Sequence, residues 1–203
     1  MIFRVGMTGH RWNGLKEADL ERLNAQVTMV LEHLQQTVKH ADASASLHLL
    51  SPIAEGSDRI AAHAALKLGY KLHCILPFAK TIYEEDFESE ASKQEFYELL
   101  KKADEVLELP HQPTSSETRN AAYTAAGRKV TEESNVLLAL WDGEEARGEG
   151  GTGQMVEEAL GLHRLVIWIH AKAPHNIRLL KREGQKDLSA LSGFIERILE
   201  QTK

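Results

Sequence analysis

Short apolar runs alternate along this chain with stretches whose apolar positions recur at three- and four-residue spacing, the pattern of strands followed by helices. Ile2 to Val5 reads as a first strand, ended by Gly6-Met7-Thr8-Gly9-His10-Arg11. A helix from about Asp19 to His40 follows, with Leu20, Leu23, Val27, Val30, Leu31, Leu34 and Val38 on one face. Leu47 to Leu50 is a second strand, stopped at Ser51-Pro52 because proline lacks the donor a ladder needs. Gly56-Ser57-Asp58 opens a helix through Leu68, with Ser57 as its expected N-cap and Gly69 as its close. Lys71 to Leu76 is the third strand. The acidic run from Thr81 to Glu90 reads as a solvated loop, although Tyr83 and Phe87 within it leave room for a flap over a ligand. A short helix near Ser92 to Lys102 follows, then a fourth strand from Glu105 to Leu109. An alanine-rich helix spans about Glu117 to Glu133, and a fully apolar fifth strand spans Val136 to Trp141. A glycine-rich loop precedes a helix to about Leu162, and Leu165 to Ile169 is the sixth strand. The tail after Pro174 is charged and ends in an amphipathic helix near Leu188 to Glu200.

Strands that alternate with helices imply crossover connections, and so an α/β fold in three layers: a doubly wound, mostly parallel sheet of about six strands with helices on both faces. The whole chain, 1–203, reads as one domain, with a core over about 1–170 and a C-terminal helical extension over about 175–203. In such sheets ligands sit beyond the carboxyl ends of the strands, where the strand order switches direction. The segments just after strands therefore carry the functional information.

Composition narrows the classes. The chain has 203 residues, 42% of them hydrophobic and 27% charged, which is globular rather than disordered. Its formal net charge of -6 offers no general attraction to nucleic acid or anionic lipid. The expected partners are thus small molecules, with no nucleic acid and no membrane. Cys74 is the one cysteine, which rules out an intrachain disulfide and a zinc site of paired cysteines; it reads as a small buried strand residue. The N-terminus runs directly into a strand, without a signal-peptide pattern, and the expected location is cytoplasmic. The histidines are scattered without a metal-ligand spacing, so no metal and no cofactor are expected.

Gly148-x-Gly150-x-x-Gly153 matches a dinucleotide fingerprint in letters but not in context, since it follows the fifth strand and lacks an acid some 20 residues on. Its physical content remains: glycines let backbone amides approach a ligand, a helix start presents unpaired N–H groups to an anion, and Thr152 adds a hydroxyl. Gly150, Gly151, Thr152 and Gly153 are therefore candidate phosphate ligands. Thr8, Gly9, His10 and Arg11 follow the first strand, where Arg11 supplies a fork suited to phosphate. Glu55, Gly56, Ser57 and Asp58 start the second helix, and Glu55 is placed for a ribose hydroxyl or an acid–base role. Arg119 and Tyr123 share a helical face, ready to hold a phosphate and stack a base. Asp142 ends the fifth strand. Glu55 and Asp142 are the candidate catalytic acids.

Taken in order, Gly6-Met7-Thr8-Gly9-His10-Arg11, Ala54-Glu55-Gly56-Ser57-Asp58-Arg59, Leu76-Pro77-Phe78, Arg119-x-x-x-Tyr123 and Leu140-Trp141-Asp142-Gly143 with Gly150-Gly151-Thr152 resemble the SLOG superfamily of Rossmann-like domains over about residues 1–170. That superfamily includes the LOG nucleotide phosphoribohydrolases, the DNA-processing DprA proteins and sensors of NAD-derived nucleotides. The resemblance implies a ligand cradle from Gly9 to Arg11, Gly56 to Asp58 and Gly150 to Thr152. The sequence departs from the LOG hydrolases where they carry Gly-Gly-x-Gly-Thr-x-x-Glu: the glutamate's position is Met155, the nearest acids are Glu157 and Glu158, and a carboxylate two residues out of phase points to another face of the helix.

Three readings follow. The first is a module that binds a phosphate-bearing nucleotide or NAD-derived small molecule, as a sensor. The second is a nucleoside 5'-monophosphate phosphoribohydrolase, cleaving the N-glycosidic bond. The third is a DprA-like DNA-handling protein. A homo-oligomer, a dimer, is expected, and the apolar face of the last helix, Leu188, Leu191, Phe194, Ile195 and Ile198, is suited to packing either internally or across that dimer.

Overall fold

In a computed structural model, residues 1–144 and 150–201 are described. Eight strands form one sheet: β1 (Ile2–Gly9), β2 (Ser46–Ser51), β3 (Lys71–Leu76), β4 (Glu105–Glu108), β5 (Val136–Trp141), β6 (Leu165–His170), β7 (Ile177–Lys181) and β8 (Gly184–Asp187). Their order is β4-β3-β2-β1-β5-β6-β7-β8. The first six are parallel, and β7 and β8 add an antiparallel hairpin at the edge. Seven helices accompany them: α1 (Leu20–Ala41), α2 (Ser57–Lys67), α3 (Lys80–Tyr83), α4 (Glu90–Lys102), α5 (Ser116–Glu133), α6 (Thr152–Gly161) and α7 (Leu191–Gln201).

The alternating side chains of the strands divide the core. Val136, Leu138 and Leu140 of β5 join the cluster under α1, α2, α4 and α7, whereas Leu137 and Ala139 join the cluster under α5 and α6. Helices thus cover both faces and make the three layers.

The sheet has eight strands rather than about six, and the difference lies in the tail. Ile177, Leu179 and Leu180 bury against β6 while Arg178 faces outward, and the hairpin turns between Lys181 and Gly184. The extension over about 175–203 is therefore half strand and half helix. Leu191, Ile195 and Leu199 of α7 are buried in the main core and α7 packs on α1. The apolar face that suggested a dimer is in large part used inside the chain, with Phe194 flanked by Lys181 and Arg197.

Two boundaries also differ. β1 continues to Gly9 because it is hydrogen-bonded to β5 as far as Gly9 opposite Leu140. The acidic run is folded rather than solvated: α3 and a 3-10 turn, Glu84–Asp86, bury Tyr83 and Phe87 in an aromatic cluster with Phe78 and Phe96.

Candidate functional site

The strand order reverses direction between β1 and β5, since β1 leads outward to β2 and β5 leads outward to β6 on the other side. A cavity of about 580 Å³ opens there, at the carboxyl ends of the strands, a size suited to a nucleotide-scale ligand. Thr8, Gly9, His10 and Arg11 line it from β1, Asp58 from α2, Tyr83 and Asp86 from the folded acidic run, Tyr123 from α5, Asp142 from the end of β5, and Gly150 to Gly153 from the start of α6.

Close approach of backbones builds this floor. A side chain at Gly9 would lie 2.5 Å from the Ser57 Cβ and 3.0 Å from the Leu140 carbonyl oxygen. Gly56 adopts φ +90, and a Cβ there would lie 2.7 Å from the His10 carbonyl oxygen. This lets the Ser57 amide and hydroxyl both donate to the His10 carbonyl, at 3.0 and 2.7 Å. Gly56, not Ser57, is the N-cap of α2, and Ser57 is spent fastening α2 to β1.

The start of α6 is different. Gly151 is the N-cap, and no side chain among the described residues caps the helix. The Gly150 amide donates to Gln154 Oε1 at 2.8 Å, while the amides of Thr152, Gly153 and Gln154 find no acceptor among the described residues. These groups and the helix dipole make an anion site facing the cavity. Gly148 lies outside the described residues.

Arg11 is half-buried, and its guanidinium stands 5.4 Å from the centre of the Tyr123 ring. It forms no ion pair among the described residues, so its charge is available to the cavity. Arg119 is engaged elsewhere. It pairs with Asp86 at 2.5 Å and stacks 5.1 Å from the Phe78 ring, and the Tyr123 hydroxyl donates to the other Asp86 oxygen. Arg119 thus pins the acidic run over the cavity instead of lining it.

The two carboxyl groups named as catalytic candidates separate. Glu55 does not line the cavity: its carboxylate accepts from the Ser92 hydroxyl and from the Glu88 amide at 3.4 Å, holding the start of α4. Asp142 lines it, with both its Oδ1 and its amide nitrogen 3.1 Å from His10 Nε2: that nitrogen donates to the carboxylate when it is protonated and accepts from the amide when it is not. Asp58 is the further acid, only 5% exposed, with Oδ2 accepting from the Ala54 amide at 3.1 Å. Burial pushes its carboxyl up to about 7 against the opposing pull of the Ala54 amide, Arg11, Ser51 and Arg59. The sequence marks Asp58 as a ligand and Tyr83 as part of a flap over one, but does not single out Asp86, whose signal is its place in the acidic run between Tyr83 and Phe87.

Met155 lines the cavity with its side chain laid along Gly127, where a Cβ would meet its sulfur at 2.4 Å. Glu158 turns outward to Arg128 at 2.9 Å and Glu157 is exposed. Among the described residues, no group of three His, Cys, Asp or Glu residues stands together to hold a metal, and no helix is long and apolar enough to cross a membrane.

No protein-family model matches the chain, and no curated protein does. Among solved structures, DNA processing protein A (DprA) from Streptococcus pneumoniae is similar over 98% of this chain with a TM-score of 0.53 and 19% identity. This chain covers 56% of that one, a little over half its length. TM1055, a structural genomics target, is similar over 81% of this chain and 72% of its own, with a TM-score of 0.48 and 12% identity. The DprA likeness, together with the sheet order and both helical layers, establishes the architecture: the chain has a Rossmann-like α/β fold in three layers, similar to that of DprA.

Proposed function

We propose that the cavity binds a phosphate-bearing nucleotide or a nucleotide-derived small molecule, with the phosphate held by Arg11 and the open start of α6. The observation that carries this reading is the meeting in one cavity, at the switch in strand order, of an arginine and a helix N-terminus that find neither an ion pair nor a side-chain cap among the described residues. Both are costly to leave unmatched and both are matched by one anion. Thr8, Gly9, His10, Thr152 and Gly153 border the phosphate; Tyr123 offers a ring face. Ser57 and Gly56 serve the cradle by position, and Glu55 and Arg119 by holding its outer wall. Such a site without hydrolysis acts as a sensor module, its output carried by a partner chain or by self-assembly.

A second reading, cleavage of the N-glycosidic bond, draws on the His10–Asp142 pair, an acid and an imidazole in contact within the cavity. Met155 at the place of the LOG glutamate supplies no carboxyl for it. The name of DprA raises DNA handling, which the net charge of -6 opposes. The test is a thermal-shift panel with AMP, ADP-ribose, cyclic ADP-ribose, NAD and inorganic phosphate, followed by chromatography of the recovered ligand. A ligand at about a hundred times its Kd stabilises by roughly 2.7 kcal/mol. A shift with intact ligand supports the binding module; release of free base supports the hydrolase; no shift with any of them overturns the nucleotide reading, and a salt-dependent DNA gel shift then favours the DprA-like one.

A further inference from the structure

The phosphate site leaves one buried acid in the cavity without a task. Asp58 sits just past the end of β2, on the opposite side of β1 from α6, with Arg11 between the two. One carboxylate oxygen takes the Ala54 amide, and the Ser51 hydroxyl also donates to the carboxyl group. No cation lies within ion-pair distance of it among the described residues. Of the two arginines that act on it at longer range, Arg59 is committed: it donates to the Ile53 carbonyl at 3.3 Å, to Ser92 at 2.8 Å and to Glu95 at 2.8 Å. The other is Arg11, the phosphate ligand proposed above. A carboxylate accepts through two oxygens with about four lone-pair sites, so two protein donors leave room for a further donor from a group bound in the cavity that Asp58 lines.

We infer that Asp58 accepts a hydroxyl of the ligand's sugar, so that the cavity selects ribose phosphates over their deoxy counterparts; this rests on the nucleotide reading of the same site. The layout supports it, because a ligand anchored by phosphate at α6 and Arg11 extends across the end of β1 toward β2. In doubly wound sheets an acid near the end of a neighbouring strand is well placed for a ribose diol. A hydroxyl suits this carboxyl better than an ammonium does. Burial leaves Asp58 close to half-protonated near neutral pH, and a hydroxyl pairs with either form, by donating to the carboxylate or accepting from the acid.

The experiment uses the full chain and isothermal titration with AMP, 2'-deoxy-AMP and 3'-deoxy-AMP, with inorganic phosphate as competitor. Loss of a hydrogen bond to a charged group predicts that at least one deoxy compound binds about tenfold or more weakly than AMP. The same titrations on Asp58→Asn show AMP weakened to the level of that deoxy compound, the ratio collapsing toward one, while phosphate still competes. Equal binding of all three nucleotides to the unmodified chain overturns the inference and leaves the phosphate reading intact, as does a ratio that survives in Asp58→Asn. The comparison on the unmodified chain stands even where the variant does not fold. Failure of AMP and phosphate alike to bind removes the nucleotide reading and this inference with it.

Discussion

Two glycines flanking α2 separate backbone strain from close approach. Gly56 and Gly69 have similar positive φ values, +90 and +79, but a Cβ at Gly69 meets nothing within 4 Å. A Cβ at Gly56 meets backbone on all sides, at 2.7 Å from the His10 carbonyl oxygen and 2.9 Å from two Arg11 backbone atoms, where ordinary contact begins at 3.4 Å. Gly69→Ala therefore costs only the left-handed conformation, about 1 kcal/mol. Gly56→Ala adds an overpacking cost of roughly 1–3 kcal/mol. The half-ångström shift it forces also loosens, without breaking, the two hydrogen bonds from Ser57 to His10, a loss of about 1 kcal/mol for the pair. The sum for Gly56→Ala is about 3–5 kcal/mol. For a chain of this length, at about 2–4 °C per kcal/mol, Tm falls by roughly 6–20 °C, against about 2–4 °C for Gly69→Ala. Differential scanning calorimetry of the two variants beside the parent measures this directly. Tm values for the two variants that agree within the error of the scan would refute the claim that β1 and α2 are locked together at the floor of the cavity.

Further predictions follow from the charges. Arg11→Met weakens inorganic phosphate and AMP by about tenfold or more, since a charge-assisted contact is lost. It lowers Tm without ligand only slightly, because Arg11 anchors no ion pair among the described residues and its removal costs one contact with Tyr123; calorimetric titration and melting check the two halves. The Asp58 carboxyl is raised by burial from 3.8 to about 7 in the folded chain, so the native state holds its proton where the unfolded chain has released it. Its stabilising contribution is full below about pH 4 and is lost as pH rises through 7, roughly 4 kcal/mol in all. Urea unfolding at pH 5 and pH 8 accordingly shows Asp58→Asn gaining on the parent at the higher pH, and parallel curves would count against it. His48 runs the other way: burial first, then His73, Lys71 and Arg4, lower it from 6.5 to about 4. Stability from its neutral form is present above the unfolded value and is lost as pH falls through about 4, so His48→Gln flattens the acid limb of the same unfolding curves.

The parts of this structure that were legible in the sequence are those written in runs of side chains. Val136 to Leu140 bury on both faces, and a strand covered on both sides has to be apolar at every position. The hairpin of β7 and β8 breaks that rule. At the sheet edge β8 buries none of its residues, Gly184 to Asp187, and is held to β7 by backbone pairing and an exposed Arg178–Asp187 ion pair at 3.1 Å. Pairing with a neighbour leaves no mark on composition, so the charges there read as a loop. The same limit governs the site. Strand ends and glycine-rich helix starts located the cavity, but the directions of individual side chains depended on contacts across the fold. Glu55 and Asp58 are three residues apart, yet Ser92 on α4 takes the first away from the cavity and the Ala54 amide holds the second at its wall. Asp86 shows the converse. Its acidic run had the composition of a solvated loop, and two anchors override that: Phe87 and Tyr83 bury in the aromatic cluster, and Arg119 neutralises the carboxylate brought in with them. The wall above the phosphate site is thus negative but locally balanced. That balance leaves Arg11 as the charge without an ion pair facing the ligand among the described residues, and it is why the anion is assigned to the Arg11 and α6 side of the cavity rather than to Arg119.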